Sequence, residues 1–193
     1  MAKLMSDNEN KEYYNVVMEN ARLCFAPNFS GTGTEYNSEG SRNFTVVVDD
    51  PRTKMSKRWV DRESGKFMVQ PITADDLAND GWNIKIRTPK GEGDDSFRFI
   101  RVMVKFNHDN PRMNPSIFLS TGNGQEVELN ENTVHRLDTA VIKYVDIEFR
   151  THYWTSKKDG SSGVNGYLTE GHFLIDQGAF GDKYQTPIND EEE

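Results

Sequence analysis

The chain is 193 residues long, carries a formal charge of −8 and contains one cysteine, Cys24. That length supports a single hydrophobic core without a metal or disulfide staple, and a lone cysteine excludes an internal disulfide. The polar start MAKLMSDNENKEYYN is no secretory leader, and no apolar run nears the ~20 residues that cross a bilayer, so a soluble intracellular protein is expected.

Along the chain, apolar/polar alternation outweighs helical periodicity. Residues 1–15 read as a flexible lead. A strand covers Val16–Phe25, a Gly/Ser/Asn-rich loop covers Ser30–Ser41, and a second strand, Arg42–Asp49, stops before Pro51, which cannot donate to a ladder. Residues 52–72 form an inserted hairpin or arm, with KRWV and KFMV on either side of DRESG. Thr73 and Asp76 make a capping arrangement for a short helix that contains Leu77 and ends at Gly81. Strands follow at Trp82–Thr88, Phe97–Phe106, Ser116–Ser120 and Gln125–Leu129. A second short helix lies within Asn130–Asp138, and two long strands, Ala140–Trp154 and Val164–Ile175, close the domain at about residue 181. Some eight strands with one or two small helices indicate an all-β barrel or sandwich.

Local chemistry is sparse. His108, His135, His152 and His172 have no zinc-like spacing with Cys24 or each other. Gly31-Thr-Gly33 lacks the Lys-Ser/Thr of a phosphate loop. Asp146 and Glu148 share one strand face and could hold Mg²⁺ for phosphodiester cleavage, although a solvated face explains them as well. No catalytic set, metal site or cofactor is expected.

What stands out is the pairing of rings with cations on strands. In the 97–106 strand, Ile100, Val102, Val104 and Phe106 make a core face, opposite Phe97, Phe99, Arg101, Met103 and Lys105. In the 82–88 strand, Asn83, Lys85 and Arg87 oppose Trp82, Ile84 and Ile86. In the 140–154 strand, Val141, Val145, Ile147 and Phe149 point inward. Arg150, Tyr153 and Trp154 emerge at its end, near Lys157, Lys158 and Tyr167. Unpaired polynucleotides need this combination, cations for phosphates and rings for exposed bases.

The acidic charge is concentrated at the ends. Residues 182–193 hold a net −4 and residues 1–10 a net −1, which leaves −3 for residues 11–181. A nearly balanced body can carry a basic groove. The end itself, with Asp190, Glu191, Glu192 and Glu193 after Pro187, is expected to be a disordered acidic tail.

The series Asn20-Ala-Arg22, Arg42-Asn43-Phe44, Gly81-Trp82-Asn83-Ile84-Lys85, Leu137-Asp138, Val145-Asp146-Ile147, Arg150 with Trp154, Gly163-Val164 and Tyr167-Leu168 resembles the phage-encoded single-stranded DNA-binding proteins. The resemblance spans residues 16–175. It departs from the family in the length of 52–72 and in Arg150-Thr-His-Tyr-Trp154. It implies an OB-fold-like Greek-key barrel with extended hairpins and no enzymatic activity. The implied function is sequence-independent binding and protection of single-stranded DNA during phage replication or recombination, in the bacterial host cytoplasm. The tail would dock phage or host replication proteins or regulate the chain itself, and a homodimer is compatible. The candidate DNA-binding set is Arg42, Phe44, Trp82, Lys85, Arg87, Phe99, Arg101, Lys105, Arg150, Tyr153, Trp154 and Tyr167, with Phe44 and Trp82 also suited to the core. Two other readings are a metal-dependent DNA-processing enzyme using Asp146 and Glu148, and a protein-binding virion or anti-defence module.

Overall fold

The computed structural model describes residues 13–176. The N-terminal residues 1–12 and the acidic tail lie outside the described residues.

Eleven strands form one sheet: β1 (Asn15–Ala21), β2 (Leu23–Asn28), β3 (Arg42–Val47), β4 (Lys54–Val60), β5 (Phe67–Pro71), β6 (Lys85–Arg87), β7 (Phe97–Val104), β8 (Ser116–Ser120), β9 (Glu126–Leu129), β10 (Ile142–Thr155) and β11 (Ser162–Ile175). The one α-helix among the described residues, α1 (Ala74–Asn79), starts on the expected capping box between Thr73 and Asp76. The second expected helix is a 3-10 turn, Val134–Asp138, and a further one, Pro111–Met113, precedes β8.

The strand order is β2-β3-β7-β11-β10-β1-β4-β5. Because β1 and β2 are halves of one run broken only at Arg22, the path from β2 round to β1 returns to its own start. Counting β1–β2 as one strand gives the order 1-2-3-5-4-1 with β7 and β11 parallel, the connectivity of an OB-type Greek-key barrel. The 52–72 hairpin, β4–β5, extends the sheet from β1, and β8–β9 extends it from β11.

Alternating residues fill the barrel. Phe44 and Val46 of β3, Ile100 and Val102 of β7, Val145, Ile147 and Phe149 of β10, and Phe173 of β11 are at most 2% exposed. Phe29, Phe44 and Phe173 meet pairwise with centroids 5.3–5.5 Å apart, offset and edge contacts that add ~0.5–1.5 kcal/mol each beyond burial. Gly166 is required here, since a Cβ would lie 2.6 Å from the Phe149 ring.

Several boundaries differ from expectation. Tyr14 is 5% exposed and Asn15 begins β1, so the ordered barrel starts before Val16. Val141, expected inside, is 67% exposed. A register shift between Ile142 and Tyr144 breaks the two-residue count that would carry it inward from Val145.

β7 and β11 pair only at Val102–Met103 and Gly166–Tyr167. Beyond that point they diverge, and residues 81–87 bridge the gap. Trp82 bridges to Val164 of β11, while Lys85–Arg87 pairs with Phe97–Phe99 of β7. This bridging segment places the site described next.

Candidate nucleic-acid interface

On the outer face of β7, Met103 stands beside Tyr167 of β11, Arg101 beside Thr45 of β3, and Phe99 beside Lys85 of β6. Across β11, Arg150 lies opposite Tyr167, His152 opposite Asn165, and Trp154 opposite Gly163. Residues two apart share a face, so five strands or segments contribute to one surface. A cleft of about 300 Å³ opens over the gap between β7 and β11. Lys85, Phe99, Arg101, Met103, Trp154 and Asn165 line it, with Trp82, Ile100 and Val164 beneath.

No carboxylate lines this cleft, and neither Lys85 nor Arg101 makes an ion pair among the described residues. Both are exposed. Trp154 lies down over Gly163, where a Cβ would approach its ring to 3.0 Å. Its Nε1–H is buried and has no hydrogen-bond partner among the described residues. A buried donor left unmade costs ~1–3 kcal/mol, which an acceptor entering the cleft would recover. Beside the cleft, the Arg150 guanidinium sits 5.5 Å from the Tyr167 ring centre, and His152 meets that ring edge-on at 4.8 Å.

Of the residues expected from the sequence, Lys85, Phe99, Arg101 and Trp154 line the cleft, and Arg150 and Tyr167 border it. The structure places the other six in the core, in the cleft floor or outside the cleft lining. Phe44, at 1% exposure, is core, and its ring is spent on Phe29 and Phe173. Trp82 is 5% exposed and forms part of the cleft floor. Its Nε1–H donates to Tyr14 Oη at 2.9 Å, and Tyr14 Oη–H donates to Asp80 Oδ2 at 2.6 Å. Burial, reinforced by that bond to Asp80, pushes the Tyr14 phenol well above its ordinary value. Arg42 pairs with Val104 and so turns to the Phe44 side of β3. There its Nε donates to Phe29 O at 3.0 Å and its guanidinium meets Glu131 at 3.3 Å. Tyr153 is the neighbour of Trp154 and therefore points the other way, edge-on to Tyr13 at 5.3 Å. Arg87 stands over Phe97 at 5.4 Å beside Asp94, outside the cleft lining. Lys105 is exposed just past the end of β7 and also lies outside it.

Alternation put Ile86 on one face of the 82–88 strand with Trp82 and Ile84. It is 65% exposed, because β6 is paired only with β7 and has no layer over its other side. Phe97 is buried with Cys24 and Val47 in a small outer cluster on which Phe99 packs. Burial in that cluster raises the Cys24 thiol pKa, consistent with a packed side chain.

Sequence reasoning missed Thr45, Asn165 and Phe25. Phe25 is 59% exposed and meets Phe99 edge-on at 5.1 Å, beside the cleft. Its backbone is left-handed, φ 63°, a conformation that bulky residues seldom adopt and that stores strain. The bulge in the β2–β3 pairing between Cys24 and Asn28 imposes it, and nothing in the local sequence signals it.

The remaining motifs are structural. Asn28 Nδ2 donates to Thr32 O and Ser41 O, which folds the 29–41 loop. Asp138 accepts from the Phe29 and Ser30 amides at 2.6 and 2.9 Å. Asp146 accepts from the Asn20 amide, and Glu148 from Asn15 Nδ2, at 2.8 and 2.9 Å. Among the described residues no three His, Cys, Asp or Glu side chains group as metal ligands, and no helix is long and apolar enough to cross a membrane.

No curated protein matches the chain. Among solved structures, the crystal structure of gp2.5, a single-stranded DNA-binding protein encoded by bacteriophage T7, matches with 10% identity and a TM-score of 0.38, over 95% of this chain and 99% of that one. A family model described as "Putative phage ssDNA-binding domain" matches residues 63–193, which takes in β5 to β11 and so four of the five strands that wall the cleft, β6, β7, β10 and β11. The chain belongs to the phage single-stranded DNA-binding domain family.

Proposed function

We propose that the protein binds single-stranded DNA without reading its sequence, in the cleft between β7 and β11. Bases stack on Phe99 and Trp154, while phosphates lie along Lys85, Arg101 and Arg150. One observation carries this reading: two cations and two accessible rings share a cleft where, among the described residues, the cations have no ion-pair partner and no carboxylate lines the wall, in a chain of net charge −8. Stacking contributes ~1–3 kcal/mol per base and accepts every base, because each has a π-face. A duplex hides those faces, so the rings favour unpaired strands.

On this reading the protein covers exposed strands during phage replication or recombination in the host-cell cytoplasm, and catalyses nothing. The tail carboxylates Asp190, Glu191, Glu192 and Glu193 compete with phosphates for the cleft or engage a basic partner protein. The test is a titration of labelled oligonucleotides at several salt concentrations. Preference for single over double strands is expected, with log K falling by ~0.7 per neutralised phosphate against log salt. Equal affinity for duplex, or no binding at low salt by a tail-truncated chain, overturns it.

A further inference from the structure

We infer that the β4–β5 hairpin provides a second subsite for the same DNA strand, so that the bound polynucleotide runs from the cleft across Arg150 onto the hairpin. This inference rests on the binding reading above.

The hairpin differs in charge from the rest of the chain. Residues 52–72 contain six basic and two acidic residues, a net +4 within a protein of net −8. A second cleft, of about 350 Å³, opens where the hairpin meets β1 and β10, and Tyr13, Arg58, Trp59, Phe67, Glu148 and Arg150 are among its walls. Tyr13 and Phe67 are 57% and 64% exposed, rings available for bases. Arg58 Nε is buried with no hydrogen-bond partner among the described residues, the counterpart of Trp154 Nε1 in the first cleft. The one carboxylate in this wall, Glu148, takes a hydrogen bond from Asn15.

Register makes the two clefts continuous. Arg58 lies opposite Asn15, Asn15 opposite Arg150, Arg150 opposite Tyr167, and Tyr167 beside Met103. This row crosses four inter-strand spacings, ~19 Å at ~4.8 Å each. It spans about five phosphates at the 3.4 Å spacing of a stacked strand. The chemistry that fits is a strand long enough to leave the first cleft, with phosphates on Arg150 and Arg58 and a base against Phe67.

The experiment compares a four-nucleotide oligothymidine, whose three phosphates cannot span the row, with a twenty-nucleotide one, each titrated into the full-length protein at several salt concentrations. The variants are Phe67→Ala and the double change Arg62→Glu with Lys66→Glu, all at exposed positions. For the wild type, the long strand is expected to show the steeper salt slope. The variants should lose about tenfold or more in affinity for the twenty-mer, with a slope shallower by ~0.7 per lost phosphate, and bind the tetramer as the wild type does. Wild-type affinity for the twenty-mer in both variants, with the tetramer still bound, overturns the hairpin subsite alone. An equal loss for both lengths also overturns it. Absence of binding by the wild type at either length overturns the cleft reading and this inference together.

Discussion

The outer side of the β10–β11 hairpin divides into two halves on a common backbone. The half nearer the 156–161 loop presents Arg150, His152, Trp154 and Tyr167, whereas the other presents Asp146, Glu148, Glu170 and His172. In the second half the polar groups satisfy one another. Asp146 accepts from the Asn20 amide, itself in a left-handed turn at φ 55°, and Glu148 accepts from Asn15. His172 sits between Glu126 and Glu170 at 2.7 and 2.8 Å, stacked on Phe118. In the first half, the Trp154 indole N–H has no acceptor among the described residues, and the cations that adjoin it across the cleft, Lys85 of β6 and Arg101 of β7, have no ion-pair partner among them. Both halves are charged, yet only one has interactions left unmade, and that separates a surface built to hold itself together from one built to receive something.

The sharpest way to break this contrast is to compare two tryptophans. Trp82→Ala should lose ~3–5 kcal/mol of stability through the cavity it leaves, read as a fall in the denaturant midpoint. Trp154→Ala should leave that midpoint nearly unchanged and weaken single-strand binding by ~1–3 kcal/mol, about fivefold to 150-fold. Destabilisation by Trp154→Ala as large as that of Trp82→Ala would erase the distinction. Next in size, Arg101→Glu should cut affinity at low salt and make the salt slope shallower by about 0.7 or more. A slope equal to the wild type's would show that Arg101 touches no phosphate.

The acidic half makes a smaller prediction about pH. Burial alone would lower the His172 pKa, but hydrogen bonds to Glu170 and Glu126 outweigh it and hold the imidazolium above its ordinary value. Its stabilisation is therefore complete below the unfolded value of ~6.5 and is lost as pH rises through the raised folded value. His172→Gln should flatten the pH dependence of stability in that window by ~0.5 kcal/mol, the scale of a part-exposed ion pair. A wild-type midpoint constant between pH 5.5 and 8.5 would count against the clamp. Smallest of all, Glu170→Lys should raise affinity at most a few-fold at low salt and leave it unchanged at high salt, where screening shortens the reach of the charge.

The parts of this division that depend on local period were legible in the sequence. Alternation alone separates Ile100, Val102 and Val104 from Phe99, Arg101 and Met103, because a strand's faces repeat every two residues. The capping box at Thr73 and Asp76 is equally local. What alternation does not reveal is the phase of one strand against another. Arg42 reads as a groove cation until its pairing with Val104 turns it toward Phe29 and Glu131. Tyr153 and Trp154 read as a pair, although adjacent residues of a strand must part. The short β7–β11 contact and the segment that fills the gap beside it join residues some sixty to eighty positions apart, which no local pattern encodes. Motif residues were also ambiguous in role. Arg42-Asn43-Phe44 and Leu137-Asp138 turn out to fasten the 29–41 loop and the barrel interior, whereas Lys85 and Trp154 stand in the cleft.

The gap between β7 and β11 gives the barrel a seam with few ladder bonds, stitched by residues 81–87. A polynucleotide lying over that seam touches both banks at once and so acts as a thread drawn through it. Occupancy would then tighten the container as well as fill the cleft, and the slowest amide exchange gained on binding should appear at Asn83 to Arg87, with a melting temperature that climbs with ligand concentration.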